Sequence, residues 1–162
     1  NNNLSTADTI SSSSPVTGQL SSISDNDYFA LNVAAAGIIS LEFDSPTNSD
    51  TRNYFSVSIL DSSGNVLSSE RSGQDITLSA AVAESGTYYA AVSDSTWYSG
   101  ENYQITFTAN QNSIDGYETE ANNNLSTADT ISSSSPVTGQ LSSTLDNDYF
   151  ALNVAEIGRA HV

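Results

Sequence analysis

The feature that most constrains this chain is that it writes its own opening twice. Residues 1–34 return as residues 122–155, with changes only at Ile23, which becomes Thr144, and Ser24, which becomes Leu145. At the centre of each copy stands one stretch, Asp25-Asn26-Asp27-Tyr28-Phe29-Ala30-Leu31-Asn32-Val33-Ala34, repeated from Asp146 to Ala155. A repeat this faithful, offset by about the length of a domain, marks tandem copies of one module. The expected organisation is a β module over residues 1–110, a linker with an acidic lead-in over 111–121, and the truncated N-terminal third of a second copy over 122–155. Because the copies are nearly identical, the second could also take the place of the first in the same sheets. That exchange gives a circularly permuted module within one chain and domain-swapped self-association between chains.

Beyond residue 155 the second copy breaks into Glu156-Ile157-Gly158-Arg159-Ala160-His161-Val162. This heptapeptide resembles one reading frame of a sequencing-library adapter, so residues 156–162 are read as an artefact and set aside from the fold. The exclusion matters for chemistry. His161 is the one histidine, and cysteine and lysine are absent, so general bases, triads, thiolates and zinc ligands of the usual kinds are missing. No enzyme is expected. A carboxylate-pair hydrolase would need two acids across a cleft, whereas the acids here stand in turn-like segments.

The apolar residues alternate in short rows. Phe29, Leu31 and Val33 share one face, as do Ile39, Leu41 and Phe43, then Phe55, Val57 and Ile59. Ile76, Leu78, Ala80 and Val82 follow, then Tyr88, Ala90 and Val92, and Tyr103, Ile105 and Phe107 close the module. Turn residues separate the rows, with Asp61-Ser62-Ser63-Gly64-Asn65 the clearest hairpin signal. The opening residues are too polar for a core strand, and Ser5-Thr6-Ala7-Asp8 fits one capped helical turn. Seven to eight short strands without a helix-period segment predict an all-β fold, an antiparallel β-sandwich.

Nineteen acidic residues face three arginines, for a formal net charge of −16. Such a surface disfavours nucleic acid and anionic membranes, which are recognised through basic side chains, and favours cations. It also suits an exported protein, and a domain of this size can be exported without disulfides. A leader peptide would lie upstream of a chain that opens inside a repeat. Glu118, Glu120, Asn122 and Asn123 offer hard oxygen donors in one run, and Asp146 and Asp148 offer more before a strand. Spacing alone leaves two readings open, a cation loop and an ordinary solvated acidic loop. Trp97 and Tyr98, beside Gly100, have the same ambiguity: they either cap the sandwich or, with Tyr103, form an aromatic contact for a polysaccharide or matrix protein.

A family resemblance bears on these choices. Glu118-Thr119-Glu120-Ala121-Asn122-Asn123, Thr127-Ala128-Asp129, Gly139-Gln140-Leu141 and Asp146-Asn147-Asp148-Tyr149-Phe150 come in that order. With Gly86-Thr87-Tyr88-Tyr89 and Tyr103-Gln104-Ile105 from the first copy, they resemble the bacterial pre-peptidase C-terminal domain family. The resemblance covers residues 1–108 and 117–155. It implies a non-catalytic, jelly-roll-like sandwich in exported bacterial proteins, secreted or at the cell surface, often beside a peptidase and similar to collagen-binding modules. It also implies calcium, with Glu118, Glu120, Asn122, Asn123, Asp146 and Asp148 as ligands in the second copy and Asn1, Asn2, Asp25 and Asp27 as their counterparts in the first. Ala121 stands where the family often has proline. The role expected is a calcium-stabilised spacer or matrix-contact domain; the alternatives are a dedicated carbohydrate- or matrix-binding module and a repeat unit of a surface adhesin.

Overall fold

The computed structural model describes residues 1–111, 113–142 and 146–154. The adapter-like tail, with His161, lies outside them. Nine strands build the first module: β1 (Asp8–Thr9), β2 (Val16–Gly18), β3 (Asn26–Val33), β4 (Gly37–Asp44), β5 (Phe55–Leu60), β6 (Val66–Ser72), β7 (Ile76–Val82), β8 (Gly86–Asp94) and β9 (Tyr103–Asn110). They form two sheets, β1-β3-β8-β5-β6 and β2-β9-β4-β7. Every pairing in the module is antiparallel except β1 with β3.

Alternation explains the layers. In β4 the odd positions Ile39, Leu41 and Phe43 are fully buried while Glu42 and Asp44 face water, the outcome expected of strands with one solvated face. Phe29, Leu31, Val33, Phe55, Val57, Ile59, Ala90 and Val92 from one sheet meet Leu78, Val82, Ile105 and Phe107 from the other. Phe43 and Phe55 lie 5.0 Å apart between ring centroids, and Tyr103 stands 5.5 Å from Phe43, so aromatic rings tie the layers together. The expected all-β sandwich is present, and the strand added to the expected seven to eight is β1, a two-residue edge with no apolar period.

Two local expectations are refined. The opening turn is a 3₁₀ turn over Leu4–Thr6, capped by Asn3, whose side chain accepts from the Ser5 N–H at 3.0 Å. The hairpin at Asp61 forms as read: Asp61 Oδ1 accepts from the N–H groups of Ser63 at 2.8 Å and Asn65 at 2.9 Å, and Gly64 takes a φ of +86°, where a Cβ would be strained.

The first copy, not the second, occupies the sandwich. Asn26 to Val33 pair residue for residue with Ser93 to Gly86, which sets aside the permuted arrangement within this chain. The second copy makes a small sheet of its own, β10 (Asp129–Ile131) parallel to β11 (Phe150–Leu152). This repeats the β1–β3 pairing in the first copy. Among the described residues, no helix is long and apolar enough to cross a membrane.

Candidate metal centre

The acidic lead-in is held in place by backbone before any side chain acts. Tyr117 bridges to Thr138, the Glu118 N–H donates to the Thr138 carbonyl at 3.0 Å, and the Tyr149 N–H donates to the Asn122 carbonyl at 3.2 Å. The lead-in therefore lies between the Thr138 segment and the start of β11. Asp129, at the head of β10, then fixes its conformation, accepting from the Thr119 N–H and the Thr119 hydroxyl, each at 2.7 Å.

This frame brings three carboxylates together. One oxygen each from Glu118, Glu120 and Asp148 lies within 4.8 Å of the others, and Glu118 is buried. Asn122 is fully buried beside them; its Nδ2 donates to Glu118 Oε2 and to Asp129 Oδ2, each at 3.3 Å. The amide is thereby oriented with its oxygen left over. Asn122 Oδ1, Glu120 Oε1 and Asp148 Oδ1 are all buried without a hydrogen-bond partner. Buried polar atoms are ordinarily paired, and three orphaned oxygens in one place need a common explanation. A donor set of carboxylates and an amide oxygen, with no nitrogen or sulfur, suits a hard divalent cation.

Electrostatics point the same way. Burial pushes the Glu120 carboxyl up to about 7, with the charges of Asp146, Glu118 and Asp148 adding to it. Glu118 is also raised, by burial first and by Asp148, although the Gln140 N–H that donates to its Oε1 opposes the shift. Asp146 behaves differently: burial is outweighed by the N–H groups of Ser142, at 2.5 Å, and Asn147, at 2.9 Å, which hold it below the ordinary carboxylate range.

Of the six second-copy candidates, the structure joins Glu118, Glu120, Asn122 and Asp148 directly. Asp146 stands next to Glu120, whereas Asn123 is exposed and uses its Oδ1 to accept from the Asn147 N–H at 3.3 Å. The first-copy counterparts Asn1, Asp25 and Asp27 also lie near one another, without the glutamates, and their polar atoms have other partners. Asp25 Oδ2 accepts from the Ser21 N–H at 2.7 Å, Asp27 Oδ2 from the Tyr103 hydroxyl at 2.6 Å, Asn1 Nδ2 donates to the Tyr28 carbonyl at 3.5 Å, and Asn2 is exposed. Asp129, which orients both Thr119 and Asn122, was not among the candidates. Its sequence signal, one acid at the head of a short polar strand, is shared by its twin Asp8.

Tyr103 does not belong to a contact surface: it is 1% exposed, with its hydroxyl on Asp27. The inward phase of β9, shared with Ile105 and Phe107, buries it. Trp97 and Tyr98 are 49% and 41% exposed. Arg52 lies over the Trp97 ring at 5.1 Å, and the Tyr98 hydroxyl donates to the Leu20 carbonyl at 2.9 Å.

Residues 25–94 match the family model of the bacterial pre-peptidase C-terminal domain. In fold, the chain is similar to the pre-peptidase C-terminal domain of a collagenase from Bacillus anthracis, at 19% identity and a TM-score of 0.50, covering 63% of this chain and 94% of that one. PliG of Aeromonas hydrophila, a periplasmic inhibitor of g-type lysozyme, aligns at 12% identity and a TM-score of 0.48, covering 64% of this chain and 97% of its own. No curated protein matches the sequence.

Proposed function

Since this chain carries a bacterial pre-peptidase C-terminal domain, a non-catalytic accessory fold of bacterial proteins, we propose that it serves an exported protein as a calcium-stabilised spacer. The observation that carries the reading is the set of orphaned oxygens on Glu120, Asn122 and Asp148 beside Glu118. Calcium accepts six to eight oxygens in flexible geometry, whereas magnesium demands a near-ideal octahedron and retains its water. A loop-borne mixture of carboxylates and one amide favours the former. Asp146 and solvent would complete the shell. Calorimetric titration of the full chain is expected to give one calcium site, absent in Glu118→Gln/Glu120→Gln. Equal heats with the double variant would remove the assignment.

A matrix-contact role has a narrower support, the half-exposed Trp97 steadied by Arg52, which is itself paired with Asp50 at 2.9 Å. A fixed indole edge with a guanidinium over one face suits contact with a polysaccharide or matrix peptide. Pull-down on such polymers, lost in a folded Trp97→Ala variant, would establish it; retention in that variant would exclude this surface.

A further inference from the structure

The acidic loop is joined at two points to the edge of the sandwich that precedes it. Gln140 is held at both ends, its backbone N–H donating to Glu118 Oε1 and its Nε2 donating to Ser68 Oγ at 2.9 Å. Ser142 repeats the pattern. Its N–H donates to Asp146 Oδ2 at 2.5 Å, and its carbonyl accepts from Ser69 Oγ at 2.7 Å. Ser68 and Ser69 are consecutive in β6, the outermost strand of the five-stranded sheet. Consecutive side chains leave a strand on opposite faces, so the two bonds grip this edge from both sides. On the Gln140 side, Leu67, Ile38, Ala80 and Ala81 of the sandwich share a cavity with Glu118 and Glu120.

We propose that the β6 edge at Ser68 and Ser69 is the docking surface for the residue 139–142 segment of the following repeat, and that a divalent cation among Glu118, Glu120 and Asp148 locks it. The inference rests on the cation reading above and adds a consequence for the array. Without a cation, Glu118, Glu120, Asp146 and Asp148 repel one another, and the loop that presents Gln140 and Ser142 is pushed open. A bound cation draws the acids inward. Glu118 and Asp146 are then fixed as acceptors for Gln140 and Ser142, whose other ends are on β6. Asn122, fully buried with its Oδ1 lacking a partner, is the point at which the ion and this network meet. Linkage makes the effect reciprocal: whatever docking adds to cation affinity, the cation adds to docking. Cation occupancy thus sets how firmly one repeat is held against the next.

The chain has no cysteine, so spin labels at Thr77→Cys on β7 and Ser134→Cys in the second copy report this geometry without background. Calcium is expected to narrow the distance distribution measured by pulsed electron resonance, and chelator to broaden it. Ser68→Ala/Ser69→Ala should stay broad with calcium and bind it about five-fold or more weakly, in line with ordinary coupling between sites. Gln140→Ala, which lies outside the sandwich and leaves its core untouched, should give part of the same loss. If calcium binds but the distribution is unchanged, or if the serine variant narrows and binds like the parent, the docking proposal is overturned and the cation site stands. If calorimetry finds no calcium binding to the parent chain, both fall.

Discussion

Glu120 holds a carboxylate where a carboxylate is costly, and this conflict makes the site testable one residue at a time. Its proton is lost only near pH 7 in the folded chain, against an ordinary value of 4.5. Between those values the folded state binds more protons than the unfolded one, so the stability of the ion-free protein falls as pH rises through that window. Glu118, also raised, acts in the same direction. In chelator the thermal midpoint should therefore decline from pH 5 to pH 8, while the increment from calcium should grow over the same range; a thermal scan series at fixed ionic strength checks both. Glu120→Gln should remove most of the pH dependence and the calcium increment together. In the sequence Glu120 was legible as an oxygen donor, but its burial was not, because that depends on distant segments: Thr138 and Tyr149 bond the backbone on either side of it, and Leu67 and Ala81 of the sandwich share a cavity with it.

At the scale of elements, β3 and β9 lie in different sheets and are joined by one polar contact through the core, Tyr103 to Asp27. Burial raises the Asp27 carboxyl and the Tyr103 hydroxyl opposes that rise, while Tyr103 itself is held protonated far above the ordinary tyrosine range by burial and by Asp27. Removing the hydroxyl leaves a buried carboxylate short of a donor. Tyr103→Phe should cost about 1–3 kcal/mol in urea unfolding, whereas loss of a mere surface contact would cost almost nothing. The alternation of Tyr103, Ile105 and Phe107 already implied the inward phase, which is incompatible with a place for Tyr103 in an aromatic contact surface. The strand at Val16–Gly18 follows Pro15 as a short edge should, but the edge β1 was harder to read. Asp8–Thr9 has no apolar period, and its pairing with Phe29 and Ala30 depends on a strand far along the chain.

The whole molecule contains its own control, the same side chains in two environments. Phe29, Leu31 and Val33 are 3%, 2% and 5% exposed, while their twins Phe150, Leu152 and Val154 are 41%, 46% and 77% exposed. A difference in packing, rather than in local preference, separates the copies, since the local sequence is shared. Phe29→Ala should accordingly destabilise the sandwich by about 3–5 kcal/mol, and Phe150→Ala by about 0.5 kcal/mol or less, as read from denaturant unfolding. Equal costs would mean that the copies exchange places. Alternation made the two layers legible, and the acidic lead-in made the donors legible. The choice between copies was not legible, because the strand-forming stretch Asp25 to Ala34 is identical to Asp146 to Ala155.

The central claim is that the acidic lead-in of the second copy and Asp148 form a calcium site in this accessory module. The most direct test is the thermal midpoint of the full chain at pH 8, with calcium and with chelator. A ligand at a hundredfold excess over its dissociation constant adds ~2.7 kcal/mol to the unit that binds it, so calcium should raise the midpoint by several degrees. That rise should vanish in Glu118→Gln/Glu120→Gln. An identical midpoint in calcium and in chelator would contradict the account and leave the buried oxygens of Glu120, Asn122 and Asp148 without the partner argued for them.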